Sequence, residues 1–172
     1  MSDHSAPESI KFCSRCGAPM ATRIVGDKPR RACTACEFIY FTDPKVGVGV
    51  LVIEEAKVLL VRRTMAPEIG KWSIPAGYLD HGEDPRVTAV REAHEETGLS
   101  VTIERLIEVF QNPADEGGAS IFIMYEARRT GGTLQAGDDA DAAAFFALDE
   151  LPPLAFASTR AAIALLARDE AP

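Results

Sequence analysis

Hydrophobic residues form short strand-like runs along the chain from position 46 onward. The first run, Val46–Ile53, is rich in β-branched residues, and its glycines indicate close approach of a neighbouring backbone or a ligand. The second run begins after Glu54–Lys57, a spacing that predicts an antiparallel hairpin. The predicted strands are Val46–Ile53, Val58–Arg63, Val101–Phe110, Ser120–Ala127 and Ala143–Leu148. A closing helix is predicted at Thr159–Ala167, and a flexible loop at Asn112–Gly118.

A second helix is predicted just before residue 98, because both of its ends are marked in the sequence. Asp84 provides a short carboxylate for the N-cap, and Pro85 suits the first helical position, where no N–H group is needed. Gly98 is a typical helix stop. The helical periodicity predicts one apolar side for this helix, and His94 is predicted to pack on that side, buried or half-buried. That side consists of Val87, Val90, Ala93 and Thr97. Strands bracketing two helices predict a mixed sheet between them.

Three carboxylates are predicted to share the opposite side of this helix. Glu92, Glu95 and Glu96 have i, i+3 and i+4 spacing, at which like charges cost a few tenths of a kcal/mol per pair. Two of them also lie near the C-terminal end, where the helix dipole disfavours negative charge. Such a cluster is either a solvated acidic face or a set of oxygen ligands for a divalent cation that also binds substrate phosphates.

All four cysteines lie near the start of the chain, in two C-x-x-C pairs. Cys13 and Cys16 are followed after sixteen residues by Cys33 and Cys36, which is the two-knuckle spacing of a closed Cys₄ zinc site. Two disulfides, or one redox pair with two buried thiols, are the alternatives. We favour structural Zn²⁺, because disulfides do not suit a cytosolic chain and a redox motif needs only one C-x-x-C.

Composition and charge narrow the classes of function. The chain has 172 residues, 47% of them hydrophobic, and a net charge of −8, which argues against a nucleic-acid-binding surface over the whole chain. Residues 11–37 nevertheless carry six basic and two acidic residues. This basic segment could meet nucleic acid, but docking on the acidic remainder of the chain or on a partner subunit is favoured. No apolar run of membrane-spanning length or signal-peptide core is present, so a cytoplasmic location is expected.

The spacing of residues 77–99 resembles the box that defines the Nudix hydrolases. Gly77 is followed after five residues by Glu83, and after seven more by Arg91-Glu92-Ala93. One residue later come Glu95-Glu96, and one residue after those Gly98-Leu99. The resemblance covers roughly residues 46–166. It implies an α+β fold, the Nudix α/β/α sandwich with a mixed sheet, and hydrolysis of a diphosphate linked to another group.

The resemblance also implies roles for individual residues. Glu92, Glu95 and Glu96, with the backbone carbonyl of Gly77, are the expected ligands of catalytic Mg²⁺ or Mn²⁺, which shields phosphate charge and activates water. Arg91 is expected to orient a glutamate through a bidentate pair, and Glu83 to brace the box or hold metal from the loop side. A later acidic residue often assists in this family. Its candidates here are Asp138, Asp139 and Asp141, with Glu116 as a competitor.

The residues around the box bear on the substrate. Arg63, at the end of a predicted strand, is expected to bind substrate phosphate, whereas Trp72 is expected to pack. The Ser-Gln-Pro-Trp-like marker of the NADH pyrophosphatases is missing from Ser100–Gly118, and Pro113 lies near the position of a proline found in enzymes for ADP-ribose. The whole chain resembles ribbon-bearing FAD and ADP-ribose pyrophosphatases. The expected substrate is therefore ADP-ribose or FAD, ahead of NADH.

Four segments are expected. They are a disordered N-terminus (residues 1–9), a zinc ribbon (10–42), the Nudix domain (43–168) and a C-terminal tail (169–172). The expected partner is a small nucleotide, with no membrane and no nucleic acid, and a homodimer stays open. RNA decapping and a non-catalytic nucleotide-binding module are the alternative functions.

Overall fold

The computed structural model of the protein describes residues 8–112 and 118–169, with side chains as far as residue 165. The chain divides between Asp43 and Pro44 into two compact units. The described residues include no helix that combines the length and the apolar character needed to cross a membrane.

The first unit is a small three-stranded antiparallel sheet. Its strands are β1 (Met20–Val25), β2 (Lys28–Cys33) and β3 (Ile39–Tyr40), with β2 in the centre. A core this small buries little apart from Cys13, Cys33 and Met20. A sheet with so little buried apolar surface needs an additional source of stability, such as a bound metal.

The second unit is built on a seven-stranded mixed sheet. Its strands are β4 (Val46–Glu54), β5 (Lys57–Arg63), β6 (Trp72–Ser73), β7 (Ala76–Tyr78), β8 (Leu99–Gln111), β9 (Ile121–Gly132) and β10 (Ala140–Ala147). The main path runs in the order β10-β5-β4-β9-β8, with β6 added to β5 and β7 to β4. The pairing of β4 with β9 is parallel and the other pairings are antiparallel. The predicted hairpin is present, with Ile53 opposite Val58.

Two helices cover the two faces of this sheet. Helix α1 (Pro85–Thr97) contributes Ala89 and Ala93 to one apolar cluster, where they meet alternate residues of β4 such as Val50. Helix α2 (Ala157–Asp169) contributes Ala162 and Ile163 to the cluster on the other face. Trp72 belongs to this second cluster and packs edge-on against Phe146, at 4.7 Å between ring centroids. The predicted α/β/α sandwich is confirmed.

The ends of α1 are those that the sequence predicts, but its buried side is different. Asp84 caps the helix by accepting the N–H of Arg86, and Gly98 ends it with a φ of 67°. The prediction that His94 packs buried or half-buried is wrong, because His94 is exposed. On the predicted apolar side Ala93 and Thr97 are buried, but Val87 is 67% exposed. The buried residues of α1 are Thr88, Ala89, Glu92, Ala93, Glu96 and Thr97. Two of the three glutamates therefore face the interior, beside the small residues that let the helix approach the sheet.

Two glycines of β4 allow the strand to pass close to its neighbours. A Cβ at Gly49 would lie 2.8 Å from the carbonyl oxygen of Pro75, and one at Gly47 would lie 2.9 Å from the Cβ of Ala119. The close approach predicted for these glycines is confirmed. Because both residues lack a side chain, the segments around Pro75 and Ala119 come close to β4, and residues of both segments line a cavity together with Gly47.

Candidate active site

A cavity of about 340 Å³ opens beside α1, and all the described residues that line it belong to the second unit. Carboxylates form part of its wall: Glu92, Glu96, Asp138 and Asp139. Apolar and aromatic side chains form another part: Met65, Pro67, Tyr78, Phe122 and Phe156. A concave site that combines apolar walls with a few charged groups is typical of pockets for small organic ligands.

Strand β7 brings Gly77 against the carboxylates of α1. A Cβ at Gly77 would occupy the space that the carboxyl group of Glu92 fills, so no other residue fits here without displacing that group. One residue earlier, the backbone N–H of Ala76 donates to Glu96 at 3.0 Å. Gly77, Glu92 and Glu96, three residues predicted for the metal site, are therefore brought together at the cavity.

An ion-pair network adjoins these residues. It contains the other residues of the box that are predicted for the site, Glu83, Arg91 and Glu95, none of which is among the described residues that line the cavity. One guanidinium nitrogen of Arg91 lies 2.9 Å from Glu92 and 2.7 Å from Glu95. The other nitrogen lies 3.8 Å from Glu83. Glu83 also accepts hydrogen bonds from the backbone N–H of Asp80 at 3.1 Å and from the hydroxyl of Thr88 at 3.0 Å. Arg91 thus links the loop before α1 to two of the three glutamates.

A loop after β9 places two further carboxylates at the site. The N–H of Gly137 donates to the carbonyl of Glu96 at 3.1 Å, and the N–H of Gln135 donates to that of Thr97 at 2.9 Å. These bonds satisfy carbonyls at the end of α1 that have no partner within the helix. Asp138 and Asp139 follow directly, and both line the cavity. Asp141 instead pairs with Arg62 at 2.7 Å, while Glu116 and Pro113 lie outside the described residues.

Burial changes the protonation of the two interior glutamates. Burial raises the pKa of Glu96 to about 9; the N–H of Ala76 opposes this rise, and Asp139 adds to it. Burial also raises the pKa of Glu92, against the attraction of Arg91. Both shifts have the same physical reason, since a carboxylate that loses its water is destabilised relative to the neutral acid.

The carboxylate wall has the chemistry of a site for a hard divalent cation. Glu96 is only 4% exposed and has no ion pair within the described part of the chain, so its ionised form would lack a counterion unless a cation binds. Oxygen ligands of this kind suit Mg²⁺ or Mn²⁺. The carboxylate oxygens are not gathered tightly, however. Within residues 8–112 and 118–169, only the four cysteines place three or more ligand atoms within 4.8 Å of one another. The residues fit a cation held partly by its substrate, as is usual for Mg²⁺.

Arg63 also lines the cavity, in contact with apolar residues of the lining. Its guanidinium stands 5.0 Å from the centroid of the Phe156 ring and donates to the carbonyl of Pro67 at 3.0 Å. No carboxylate pairs with Arg63 in the part of the chain that is described. Its charge is therefore available to an anionic group in the cavity.

The four cysteines of the first unit form a separate, closed cluster. Their sulfur atoms all lie within 4.8 Å of one another, and three of the distances are 3.5, 3.6 and 3.8 Å. Four sulfurs arranged tetrahedrally at about 2.3 Å from one Zn²⁺ are about 3.8 Å apart, so the cluster fits this ion. The N–H groups of Ala35 and Cys36 lower the pKa of Cys33 to about 6, which favours the thiolate that zinc requires.

Comparisons with protein families match both units. The family model described as NUDIX domain matches residues 43–166. The model described as Nudix N-terminal, a zinc ribbon, matches residues 11–41.

Curated proteins and solved structures include similar chains. An ADP-ribose pyrophosphatase of Methanocaldococcus jannaschii is 38% identical over 117 residues, which are 67% of this chain and 69% of that protein. The mitochondrial NAD(P)H pyrophosphatase NUDT13 of Mus musculus is 37% identical over 91 residues, which are 53% of this chain but only 25% of that protein. The crystal structure of a NUDIX hydrolase from Nitrosomonas europaea matches with a TM-score of 0.81 and 32% identity, over 92% of each chain.

Proposed function

We propose that this chain, which belongs to the Nudix hydrolase family, hydrolyses the diphosphate of ADP-ribose and releases AMP and ribose 5-phosphate. The observation that carries the proposal is the pair Glu92 and Glu96, buried beside Gly77 at a cavity of suitable size. The relative that is called an ADP-ribose pyrophosphatase supports the choice of substrate.

Glu92 and Glu96, with the carbonyl of Gly77, would hold Mg²⁺ or Mn²⁺, and Glu95 would complete the set from the surface side. A divalent cation supplies charge neutralisation of the diphosphate and activation of water. Arg91 keeps Glu92 and Glu95 at a fixed separation, and Glu83 braces Arg91 from the loop before α1. These residues thus hold the carboxylate wall in place before substrate enters.

Asp138 and Asp139 are the later acidic residues that we assign to the same site. The backbone bonds between their loop and the end of α1 hold them beside Glu96. A carboxylate in this position can accept a proton from the attacking water. Asp139 is the better candidate for that step, since its side chain interacts with that of Glu96, whereas Asp138 is exposed.

A dinucleotide is the second candidate substrate. The mouse relative is called an NAD(P)H pyrophosphatase, and the sequence resembles enzymes for FAD, so cleavage within the diphosphate of NADH or FAD would use the same wall. In the first unit, Cys13, Cys16, Cys33 and Cys36 would hold a structural Zn²⁺, which leaves no open coordination position for chemistry. The cytoplasmic location, the homodimer and the division into four segments stay predictions from the sequence.

A substrate panel tests the proposal. ADP-ribose, FAD, NADH, dinucleoside polyphosphates and oxidised nucleotides are incubated with Mg²⁺ or Mn²⁺, and the products are separated by chromatography. The highest kcat/KM is expected for ADP-ribose, and Glu96→Gln, run in parallel, shows whether turnover belongs to this site. Tight binding of ADP-ribose without turnover of any compound would instead identify a nucleotide-binding module. Capped RNA as the best substrate would identify a decapping enzyme.

A further inference from the structure

Two buried hydroxyls lie in the first turn of α2, at the wall of the cavity. Ser158 is 6% exposed and Thr159 is 2% exposed, and both line the cavity. Neither side chain forms a hydrogen bond with any residue of the described part of the chain. Buried polar groups are nearly always hydrogen-bonded in native proteins, so two adjacent exceptions call for a partner outside the chain.

Backbone N–H groups at the same end of α2 also lack acceptors in the part of the chain that the structure describes. The first N–H of α2 with a described acceptor is that of Arg160, which donates to the carbonyl of Phe156 at 3.4 Å. The N–H groups of residues 157–159 have none among the described residues. Phe156, which occupies the N-cap position, has no side-chain oxygen with which to accept them.

The charge around these donors favours an anion. The N-terminus of a helix carries the positive end of its dipole, and backbone N–H groups are donors only, so a cation cannot bind there. The cation–π contact with Phe156 holds the guanidinium of Arg63 beside the start of α2. The carboxylates of the cavity lie on other elements, α1 and the loop after β9.

We propose that the first turn of α2, through Ser158, Thr159 and its free N–H groups, and together with Arg63, binds phosphate oxygens of the substrate. This subsite deepens the proposed function and rests on it, because it assigns the part of the diphosphate that the carboxylate wall does not hold. A diphosphate has more non-bridging oxygens than one cation coordinates, and the oxygens that are left over still accept hydrogen bonds. Hydrogen-bond donors fixed on a helix supply the remainder without competing for the metal.

Binding of inorganic phosphate tests the subsite without any turnover. The zinc-loaded chain is titrated with phosphate in the presence of Mg²⁺ by calorimetry, and Thr159→Val is compared with Thr159→Ser. The valine variant keeps the shape of the side chain and loses the hydroxyl, so its affinity should fall about tenfold, as expected for one hydrogen bond to a charged group. The serine variant should retain most of the affinity. Ser158→Ala should repeat the loss, and Thr130→Val, which removes an exposed hydroxyl elsewhere in the sheet, should not.

Thermal unfolding without ligand separates this role from a structural one. Because the hydroxyl of Thr159 has no described partner, Thr159→Val should unfold at the wild-type temperature or above it. A lower unfolding temperature combined with wild-type phosphate affinity would overturn the proposal. So would the absence of phosphate binding by the wild-type chain.

Hydrolysis of ADP-ribose distinguishes failure of the subsite from failure of the proposed function. With Mg²⁺, Thr159→Val is expected to raise KM about tenfold. If Thr159→Val and Ser158→Ala both turn over ADP-ribose normally, with unchanged KM and unchanged phosphate affinity, the subsite is overturned and the proposed function is retained. Loss of phosphate affinity in those variants, in a chain that does not hydrolyse ADP-ribose, would support the subsite and overturn the function. If the hydroxyl variants bind adenosine more weakly than the wild-type chain does but bind inorganic phosphate equally well, the assignment of the subsite to phosphate is overturned.

Discussion

The carboxyl group of Glu92 fills the space that a side chain at position 77 would occupy. Glu92 lies on α1 and Gly77 on β7. Because Gly77 has no side chain, the carboxyl group of Glu92, fifteen residues later in the chain, can occupy this position. Arg91 forms an ion pair with the same carboxylate, at 2.9 Å. Glu92 is therefore fixed at the cavity in a single position before any cation or substrate binds.

Gly77→Ala should abolish most of the activity and destabilise the domain. The added methyl group would push the carboxyl group of Glu92 away from the cavity, and overpacking of this kind costs about 1–3 kcal/mol. Steady-state kinetics and urea unfolding measure the two effects. Gly131→Ala is the matched control, because its added Cβ meets nothing within 4 Å and its φ is not positive. Wild-type kcat in Gly77→Ala would contradict the placement of Glu92 in the site.

Glu96→Gln should lower kcat by several orders of magnitude while the fold survives. Glutamine can still accept the N–H of Ala76, and it is neutral without taking up the proton that the buried carboxyl group of Glu96 needs at neutral pH, so the metal-free domain should unfold at the wild-type temperature or above it. Loss of a carboxylate ligand weakens metal-assisted attack. Glu104→Gln, at an exposed pair with Arg128, is the control. Near-normal turnover in Glu96→Gln would remove this residue from the ligand set.

Arg91→Lys should weaken metal binding rather than the fold. A lysine keeps the charge but has a single nitrogen in place of the fork that meets Glu92, Glu95 and Glu83. Residues that orient metal ligands typically contribute about 10–100-fold in metal affinity or activity. The Mg²⁺ concentration for half-maximal activity should rise by this order. Arg128→Lys, at a surface pair, should leave that concentration unchanged.

Each chain should carry one tightly bound zinc that is separate from the catalytic cation. Thiolates suit Zn²⁺, whereas carboxylates suit Mg²⁺ or Mn²⁺. Dialysis against a mild chelator should therefore stop turnover, which added Mg²⁺ restores, while elemental analysis still finds about one zinc per chain. Cys33→Ser should lose that zinc and make the first unit sensitive to proteolysis. Thr34→Val, at the neighbouring exposed residue, is the control. Two disulfides in place of zinc would refute the assignment.

Attack should occur within the diphosphate, with oxygen from water entering one product directly. Hydrolysis of ADP-ribose in ¹⁸O-water, followed by mass spectrometry, should find the label in either AMP or ribose 5-phosphate. Among the described residues of the cavity lining there is no cysteine or lysine, the carboxylates are assigned to metal and water, and Ser158 and Thr159 are assigned to phosphate binding rather than to a covalent intermediate. A phosphorylated or adenylylated enzyme, or cleavage at the glycosidic bond, would contradict this mechanism.

The sequence by itself determined the local features and the family. Asp84 and Gly98 mark the ends of α1, because caps act through bonds within one helical turn. The Cys₄ cluster was also predictable, since the spacing within each C-x-x-C pair brings its two sulfurs to one turn. The box spacing identified a Nudix hydrolase, and the family matches over residues 43–166 and 11–41 confirm that resemblance.

Only the tertiary structure decided which side of α1 is buried. Periodicity separates Glu92 and Glu96 from Val87, but it cannot say which side meets the sheet. Here the N–H of Ala76 and the open space at Gly77 receive the two glutamates, while Val87 remains in water. Contacts between residues distant in sequence outweigh the local hydrophobic pattern at this point. Natural proteins depart from their local pattern chiefly at functional sites.

Distance along the chain also explains why part of the cavity could not be located in advance. Asp139 reaches Glu96 because backbone bonds from its loop cap the end of α1, and Thr159 enters the same cavity from α2. The family resemblance offered Asp138, Asp139 and Asp141 as candidates without choosing among them, and nothing in the sequence marked the two hydroxyls. Their positions depend on the parallel pairing of β4 with β9 and on the layers of helix and sheet. Such packing is a property of the folded chain as a whole.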